Sequence, residues 1–254
     1  MLLYEMTSEE IAKLDRGVVV IVPFGAVEQH SLHLPMGTDS ILIEAIARRL
    51  EQKIPERVCV LPTTWLGCSR HHMDFAGSLT AEIDTFIEVG EQIVGSMAEH
   101  EFHNFILLNG HGGNVNKISI ICEKLRYRQG PGFTIAGVTY WHLISEEIQG
   151  IRESPLGGMG HACELETSLM LATRQELVRV SRMQADGRRG DSVFDKKDMF
   201  AAGSVTVPRQ FKEISQHGGV GDPTTASAEK GERIFAVIID KLAQVVEDVQ
   251  AGVL

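Results

Sequence analysis

Apolar and polar positions switch repeatedly between a period of two and a period near 3.6, and the switches lay out the first half of the chain. Val18-Val19-Val20-Ile21-Val22 is a short run of β-branched residues, the pattern of a fully buried strand, and it breaks at Pro23 and Gly25. Ser40 to Ile54 carries Ile41, Ala45, Ile46 and Leu50 at helical spacing, with Asp39 or Ser40 placed to cap it. Val58 to Leu61 predicts a second strand, ended by Pro62. Thr80 reads as the N-cap of a helix to about His100, with Ile83, Phe86, Ile87, Ile93, Val94 and Met97 on one face. Asn104 to Leu108 predicts a third strand, followed by a helix to about Arg128, the turn Gly130-Pro131-Gly132 and a fourth strand from Phe133 to Thr139. Strands alternating with helices in this order predict a parallel sheet covered on both faces, an α/β fold.

The second half is less regular. Glu164 to Thr173 predicts a buried helix, and Thr225 to Val249 is amphipathic through Ile234, Phe235, Val237, Ile238, Leu242 and Val245. Between them, Arg174 to Val220 shows little period and much charge and glycine. A structureless loop of that length is uncommon in a compact domain, so short strands are expected there, or an arm that packs on another subunit. No internal repeat or linker divides residues 1–254, and a single domain is expected.

Charge narrows the partners. Lys+Arg 24 against Asp+Glu 34 leaves a net charge of −10, which argues against nucleic acid or an anionic membrane as the main partner, since both call for a basic footprint. The first residues, Met1 to Met6, lack the cationic start of a signal peptide, and no apolar run approaches the roughly 20 residues of a membrane span. Cys59, Cys68, Cys122 and Cys163 lie far apart without a CxxC pair, so neither a thiolate zinc knot nor a disulfide framework is expected and the cytoplasm is the simplest setting.

Three polar clusters follow apolar elements. Glu28, His30, His33 and Asp39 come after the first strand, where open α/β sheets place their ligands. A polar loop whose histidines satisfy backbone groups is the plainer reading. His111 lies in Asn109-Gly110-His111-Gly112-Gly113-Asn114 after the third strand; without a Walker lysine or a GxGxxG this is not a phosphate loop. The third cluster, His161-Ala162-Cys163-Glu164-Leu165-Glu166-Thr167, enters a helix whose N-terminal dipole by itself favours two glutamates. Together the clusters offer oxygen and imidazole donors without thiolate, a set suited to Zn, Mn or Fe, and enough of them for two cations about 3.5–4 Å apart.

These motifs, with Gly221-Asp222-Pro223 and Ala228-Glu229-Lys230-Gly231, resemble the creatininase (creatinine amidohydrolase) family over nearly the whole chain. The resemblance implies a three-layer α/β/α sandwich with a mainly parallel four-stranded central sheet. It also implies a hydrolase with two divalent metal ions per chain, often a homo-oligomer and sometimes a hexamer, acting on a small-molecule substrate. Family members open or remove cyclic and formyl amides, and some relatives cleave a carbon–carbon bond in an oxidised inositol ring. Carried over by motif, Glu28, Asp39 and His111 hold one metal, and His30 and Asp39 the other, with Asp39 bridging. Creatininase has its last ligand, a glutamate, at the position of Gly113 here, so Glu164 is the expected replacement. Glu166 or His161 is expected to move the proton, and Ser69, His72 and Gly112 to line the substrate pocket. Glu164 and Glu166 lie about 200° apart around a helix and should not share a role. His33 is expected to orient a ligand; His71 departs from the glutamate usual in its motif; His100, His103, His142 and His217 are expected at the surface or in the core. Tryptophan is absent from Ile151 to Gly160, where part of the creatininase lid falls, so creatinine is not the expected substrate. An inert scaffold of the same fold is the alternative of another class, and the presence of every candidate ligand argues against it.

Overall fold

The computed structural model describes all residues except 188–191, 193, 197 and 202. In chain order the elements are α1 (Ser8–Ala12), β1 (Val19–Phe24), α2 (Thr38–Lys53), β2 (Val58–Val60), α3 (Ile83–Glu99), β3 (Asn104–Asn109), α4 (Val115–Gln129), β4 (Thr134–Thr139), β5 (Met159–His161), α5 (Glu164–Arg174), α6 (Phe211–Ile214), β6 (Val220–Gly221) and α7 (Ala228–Ala251), joined by short 3-10 turns. Strands β1 to β4 form one parallel sheet in the order β2-β1-β3-β4.

Strand periodicity sorts side chains between two cores. Val19, Ile21, Ile106 and Leu108 point to a layer built by α2, α5 and α7, through residues such as Leu42, Ile46, Leu169, Ile234 and Ile238. Val20, Val22, Phe24, Phe105 and Leu107 point the other way, to Phe86, Val94, Ile121 and Leu125 on α3 and α4. The β1 strand is buried throughout, as its unbroken apolar run requires.

From β1 the chain moves outward to β2, then returns across β1 to β3 and β4. The order therefore reverses between β1 and β3, and the helices that follow them, α2 and α4, pack on opposite faces of the sheet, which leaves a crevice between the loops at the strands' carboxyl ends. Phe24 of β1 is registered with Asn109 of β3, so the loops carrying the first two polar clusters start side by side. The antiparallel pair β5–β6 brings the third cluster to the same end.

Two local expectations are corrected. Gly37, not Asp39 or Ser40, is the N-cap of α2; the Ser40 hydroxyl donates to the Ala26 carbonyl at 2.8 Å instead. The N-cap of α3 is Glu82, because the Thr80 hydroxyl is taken up by the backbone N–H of Ser69 at 3.0 Å. The stretch from Arg174 to Val220 holds short 3-10 turns, α6 and the start of β6, and the expectation for it falls in part on residues 188–191, 193, 197 and 202, outside the described residues.

Candidate metal centre

Each ligand loop is fixed by backbone and amide contacts before its ionisable side chains meet. Asn109 closes the turn after β3: its Nδ2 donates to the His111 carbonyl at 2.9 Å and to Thr139 Oγ1 at 3.2 Å, and its Oδ1 accepts from the His111 N–H at 3.1 Å. Asn114 ties the loops together, donating to the Gly25 carbonyl and accepting from the Cys68 N–H. Asp39 sits in the first turn of α2. Between β5 and α5 the chain turns sharply at Ala162, whose φ of +50° is unusual for a residue with a Cβ. That turn lets His161, before it, and Glu166, after it, enter the same crevice.

The buried side chains converge on Asp39 and Glu28. Asp39 presents one oxygen to each of two histidines: Oδ1 is 3.1 Å from His30 Nε2, and Oδ2 is 3.0 Å from His111 Nδ1. His111 Nδ1 is also 3.4 Å from Glu28 Oε1, and His30 Nε2 is 3.8 Å from Glu166 Oε1. Glu28 Oε1 further faces His72 Nε2 at 3.1 Å and His161 Nδ1 at 3.8 Å. Donor atoms of His30, Asp39 and Glu166 lie within 4.8 Å of one another, as do those of Glu28, His30 and His161 and those of Glu28, His71 and His111.

The far ring nitrogens decide which tautomers this network favours. His30 Nδ1 faces the Glu28 carbonyl at 3.1 Å, His111 Nε2 the Cys68 carbonyl at 3.2 Å, and His161 Nε2 the Gln29 carbonyl at 2.7 Å. A carbonyl only accepts, so we assign the N–H to each of those nitrogens. In the neutral rings the opposite nitrogens then aim lone pairs at carboxylate oxygens, an arrangement that is favourable only with a cation between them. His72 differs: its Nδ1 accepts from Gln29 Nε2 at 2.7 Å, so its Nε2 donates to Glu28. Glu28 Oε2 is buried without a hydrogen-bond partner among the described residues, and buried Asp39 Oδ2 faces His111 Nδ1. Buried carboxylates in that state suit a positive charge beside them.

Protein electrostatics agree. Burial opposes ionisation of Glu28, yet the His111 and His72 rings hold its carboxyl well below the usual range. Burial likewise opposes protonation of His30 and His111, but Asp39 with Glu166 raises the first, and Glu28 with Asp39 raises the second, well above an ordinary imidazole. Without metal these rings carry the compensating charge as protons; a cation bound there would displace them. Burial, with His30 and His72 nearby, pushes His161 down to about 4, so it is a neutral imidazole.

Glu28, His30, Asp39, His111 and His161 thus line one crevice in overlapping groups, and the glutamate assignment needs correction. Glu164 is not in the cluster. Its carboxylate accepts from Lys230 Nζ at 2.6 Å and from the backbone N–H groups of Glu153 at 2.9 Å and Ser154 at 2.8 Å. Glu166 takes the place beside His30 and Asp39, with Oε2 accepting from the Cys163 N–H at 3.3 Å and Oε1 turned inward. The two glutamates do point apart, but in the opposite sense to the expectation. Ser69 Oγ lies 3.4 Å from His111 Nε2, behind the ring, and Gly112 is exposed at the lip. His33 Nε2 meets Thr167 Oγ1 at 2.9 Å, so it braces α5 beside Glu166 rather than touching a candidate ligand.

The family model described as Creatininase, creatinine amidohydrolase, matches residues 4–246. The chain belongs to the creatininase family. Among relatives, it is 27% identical to the creatinine amidohydrolase of Pseudomonas putida, over 91% of this chain and 89% of that one. It is 28% identical to the mycofactocin precursor peptide peptidase of Mycobacterium ulcerans, over 87% and 81%, and 26% identical to the 3-dehydro-scyllo-inosose hydrolase of Thermotoga maritima, over 96% and 82%. A crystal structure of creatininase superposes with a TM-score of 0.81 at 27% identity, covering 96% of each chain. Solved creatininases of this fold include a manganese form and a Zn–Zn form.

Within this creatininase fold, Gly113 has no room for a side chain of any kind: a Cβ there would fall 2.1 Å from the Cys68 carbonyl oxygen and 2.4 Å from His111 Nε2. Three contributors escaped the motif reading. His71 stacks on His111 with ring centroids 5.7 Å apart and joins Glu28 in one donor group; its histidine type was the available signal. Gln29, flanked by two candidate ligands, fixes the tautomer of His72 and donates to the Gly218 carbonyl. Phe211 lies in the aperiodic stretch, and nothing in its sequence context marks it.

Proposed function

We propose that this chain is a dinuclear metal-dependent hydrolase of a small polar substrate, with the C–N bond of a cyclic amide or formamide as its preferred target. The observation that carries this reading is Asp39, one oxygen on His30 and the other on His111, the arrangement of a carboxylate shared between two cations. Glu28, Asp39 and His111 would hold one divalent ion, Zn, Mn or Fe, and His30, Asp39 and Glu166 the other. Such a pair supplies Lewis acidity, making a water nucleophilic near neutral pH and polarising a carbonyl oxygen.

The remaining steps belong to the protein. His161 keeps its Nε2–H on the Gln29 carbonyl, which leaves Nδ1 as a base facing the cluster. It receives the proton released as hydroxyl adds to the carbonyl carbon, then returns it to the leaving nitrogen as the C–N bond breaks. His72 donates to Glu28 and borders the pocket. The name of the Thermotoga maritima relative supports a second reading with the same ligands, hydrolysis of a carbon–carbon bond in an oxidised inositol or sugar ring.

Two measurements test this. Elemental analysis of protein purified without added metal, then saturated with zinc or manganese, is expected to give about two equivalents per chain; less than one at saturation would refute the reading. Loaded protein is then assayed against cyclic amides, formamides, short peptides and keto-inositols, which separates C–N from C–C cleavage.

A further inference from the structure

Segment 203–218 contributes no ligand, yet it is built against the site from both ends. Residues 203–209 are exposed. At Gln210 the chain turns in. With its amide nitrogen inward, Gln210 donates to the carbonyl oxygens of Arg70 and His71 at 3.1 and 3.2 Å. The next residue, Phe211, lays its ring on the histidines: centroids are 3.9 Å from His72, 4.9 Å from His161 and 5.5 Å from His71. Lys212 Nζ sits 4.8 Å above the Phe75 ring.

The return side is pinned as firmly. Asp186 accepts from Ser215 Oγ at 2.8 Å, from the Gln216 N–H at 3.2 Å and from the His217 N–H at 2.7 Å. Gly218, at φ +91°, passes so close to Gln29 that a Cβ would lie 1.7 Å from its Oε1. Glycine is required there, and what it gains is the 2.8 Å bond from Gln29 Nε2 to the Gly218 carbonyl.

Phe211 belongs to neither hydrophobic core. It is half-buried, with its ring against three imidazoles and part of its surface still open to solvent. What its benzyl side chain packs on is the histidine cluster of the site rather than the interior of the fold. We propose that Phe211 is the aromatic wall of the substrate pocket, selecting substrates that present a flat group, a ring or planar amide, beside the bond to be cleaved. This rests on the hydrolase reading above. The ring already touches His72 on its inner side, so the substrate's flat group stacks or meets the ring edge on the side left open to solvent.

The test uses two hydroxamates that offer the same metal-binding head, one with a phenyl ring and one with a methyl group. On zinc-loaded protein, calorimetry is expected to show benzohydroxamate binding about 3- to 10-fold more tightly than acetohydroxamate, the range of a single aromatic contact. Phe211→Ala should abolish that preference and leave acetohydroxamate unchanged; Phe211→Tyr should keep it. A preference that survives Phe211→Ala overturns the proposal. A second arm needs no metal: ethoxyformylation of His72 and His161 in metal-free protein, followed by mass spectrometry, should be several-fold faster in Phe211→Ala and in Phe211→Leu. Equal rates also overturn it. Should neither hydroxamate bind, the zinc content of the same sample shows whether the metal reading has failed, and the ethoxyformylation rates still decide for or against Phe211.

Discussion

Glu164→Gln and Glu166→Gln should separate cleanly into a stability defect and a metal defect. Glu164 has no exposed side-chain surface and pairs with Lys230, which is 8% exposed. Breaking a buried pair by removing one charge costs about 3–5 kcal/mol. Lys230 keeps the Thr225 carbonyl and the carboxylate of Glu153, but Glu153 is 66% exposed and compensates only in part. The lower end, about 3 kcal/mol, is therefore expected. For a chain of this size that corresponds to a fall in Tm of roughly 6–12 °C. Melting is measured with chelator present, so that ligand stabilisation does not enter. Glu166→Gln should melt less far below wild type than Glu164→Gln under those conditions, because its carboxylate stands 3.8 Å from His30, which keeps Asp39 at 3.1 Å, whereas Glu164 is in a 2.6 Å pair with Lys230; yet it should lose one metal equivalent on reloading. The Lys230 partnership and the bonds from Ser154 and Glu153 lower the Glu164 pKa against the opposing effect of burial. Its contribution is thus present above the unfolded value of about 4.3 and lost as pH falls through the lower folded value. The gap between wild type and Glu164→Gln should close on acidification below about pH 4. An unchanged Tm with loss of one metal from Glu164→Gln would refute the assignment.

Three shorter tests address the rest of the site. Asp39→Asn should lose at least one metal and nearly all turnover while keeping its circular dichroism spectrum, because both histidine pairs depend on that carboxylate; two retained metals with normal turnover would sink the bridging role. Gly113→Ala must displace the Cys68 carbonyl or the His111 ring, and should lower metal affinity at the His111 side about tenfold or more, read by chelator competition. Phe194, Val205 and Val207 are exposed in the 174–220 stretch, which suits cover by another copy of the chain; sedimentation at micromolar concentration should show an oligomer, and a stable monomer would count against it.

The sheet was legible because β1, β2 and nearly all of β3 are buried on both faces, and a run such as Val18 to Val22 has few other ways to fold. The parallel order followed from alternation of strand and helix, and the site's place from the chemistry following β1 and β3. Capping was less legible. Thr80 is a good N-cap type, but a hydroxyl can serve a helix end or a loop amide, and the Ser69 N–H outcompeted α3 for it. The glutamates show the same limit. Helical period places Glu164 and Glu166 on different sides of α5, but which side faces the crevice depends on the direction in which the helix leaves β5. That direction is set by the backbone at Ala162 and confirmed by Lys230 from α7, neither of which a periodicity can register.

The stretch from Arg174 to Val220 is aperiodic for a physical reason. Its described residues are ordered one at a time by polar anchors rather than by a repeating apolar face. Asp186 gathers Gly187, Ser215, Gln216 and His217. Asp198 gathers Arg152 Nη1 and Nη2 with the Gly157 and Phe200 N–H groups, which holds the loop leading into β5 and hence His161. An aspartate that accepts several N–H groups fixes a loop as firmly as a few core side chains fix a helix, but its partners are scattered along the chain and share no spacing. Such anchoring leaves the intervening side chains free of any packing pattern, so one of them, Phe211, can be committed to the site without disturbing either core. The same anchoring explains why composition alone marks this region as loop while its residue Phe211 comes to lie against the histidines of the candidate metal centre.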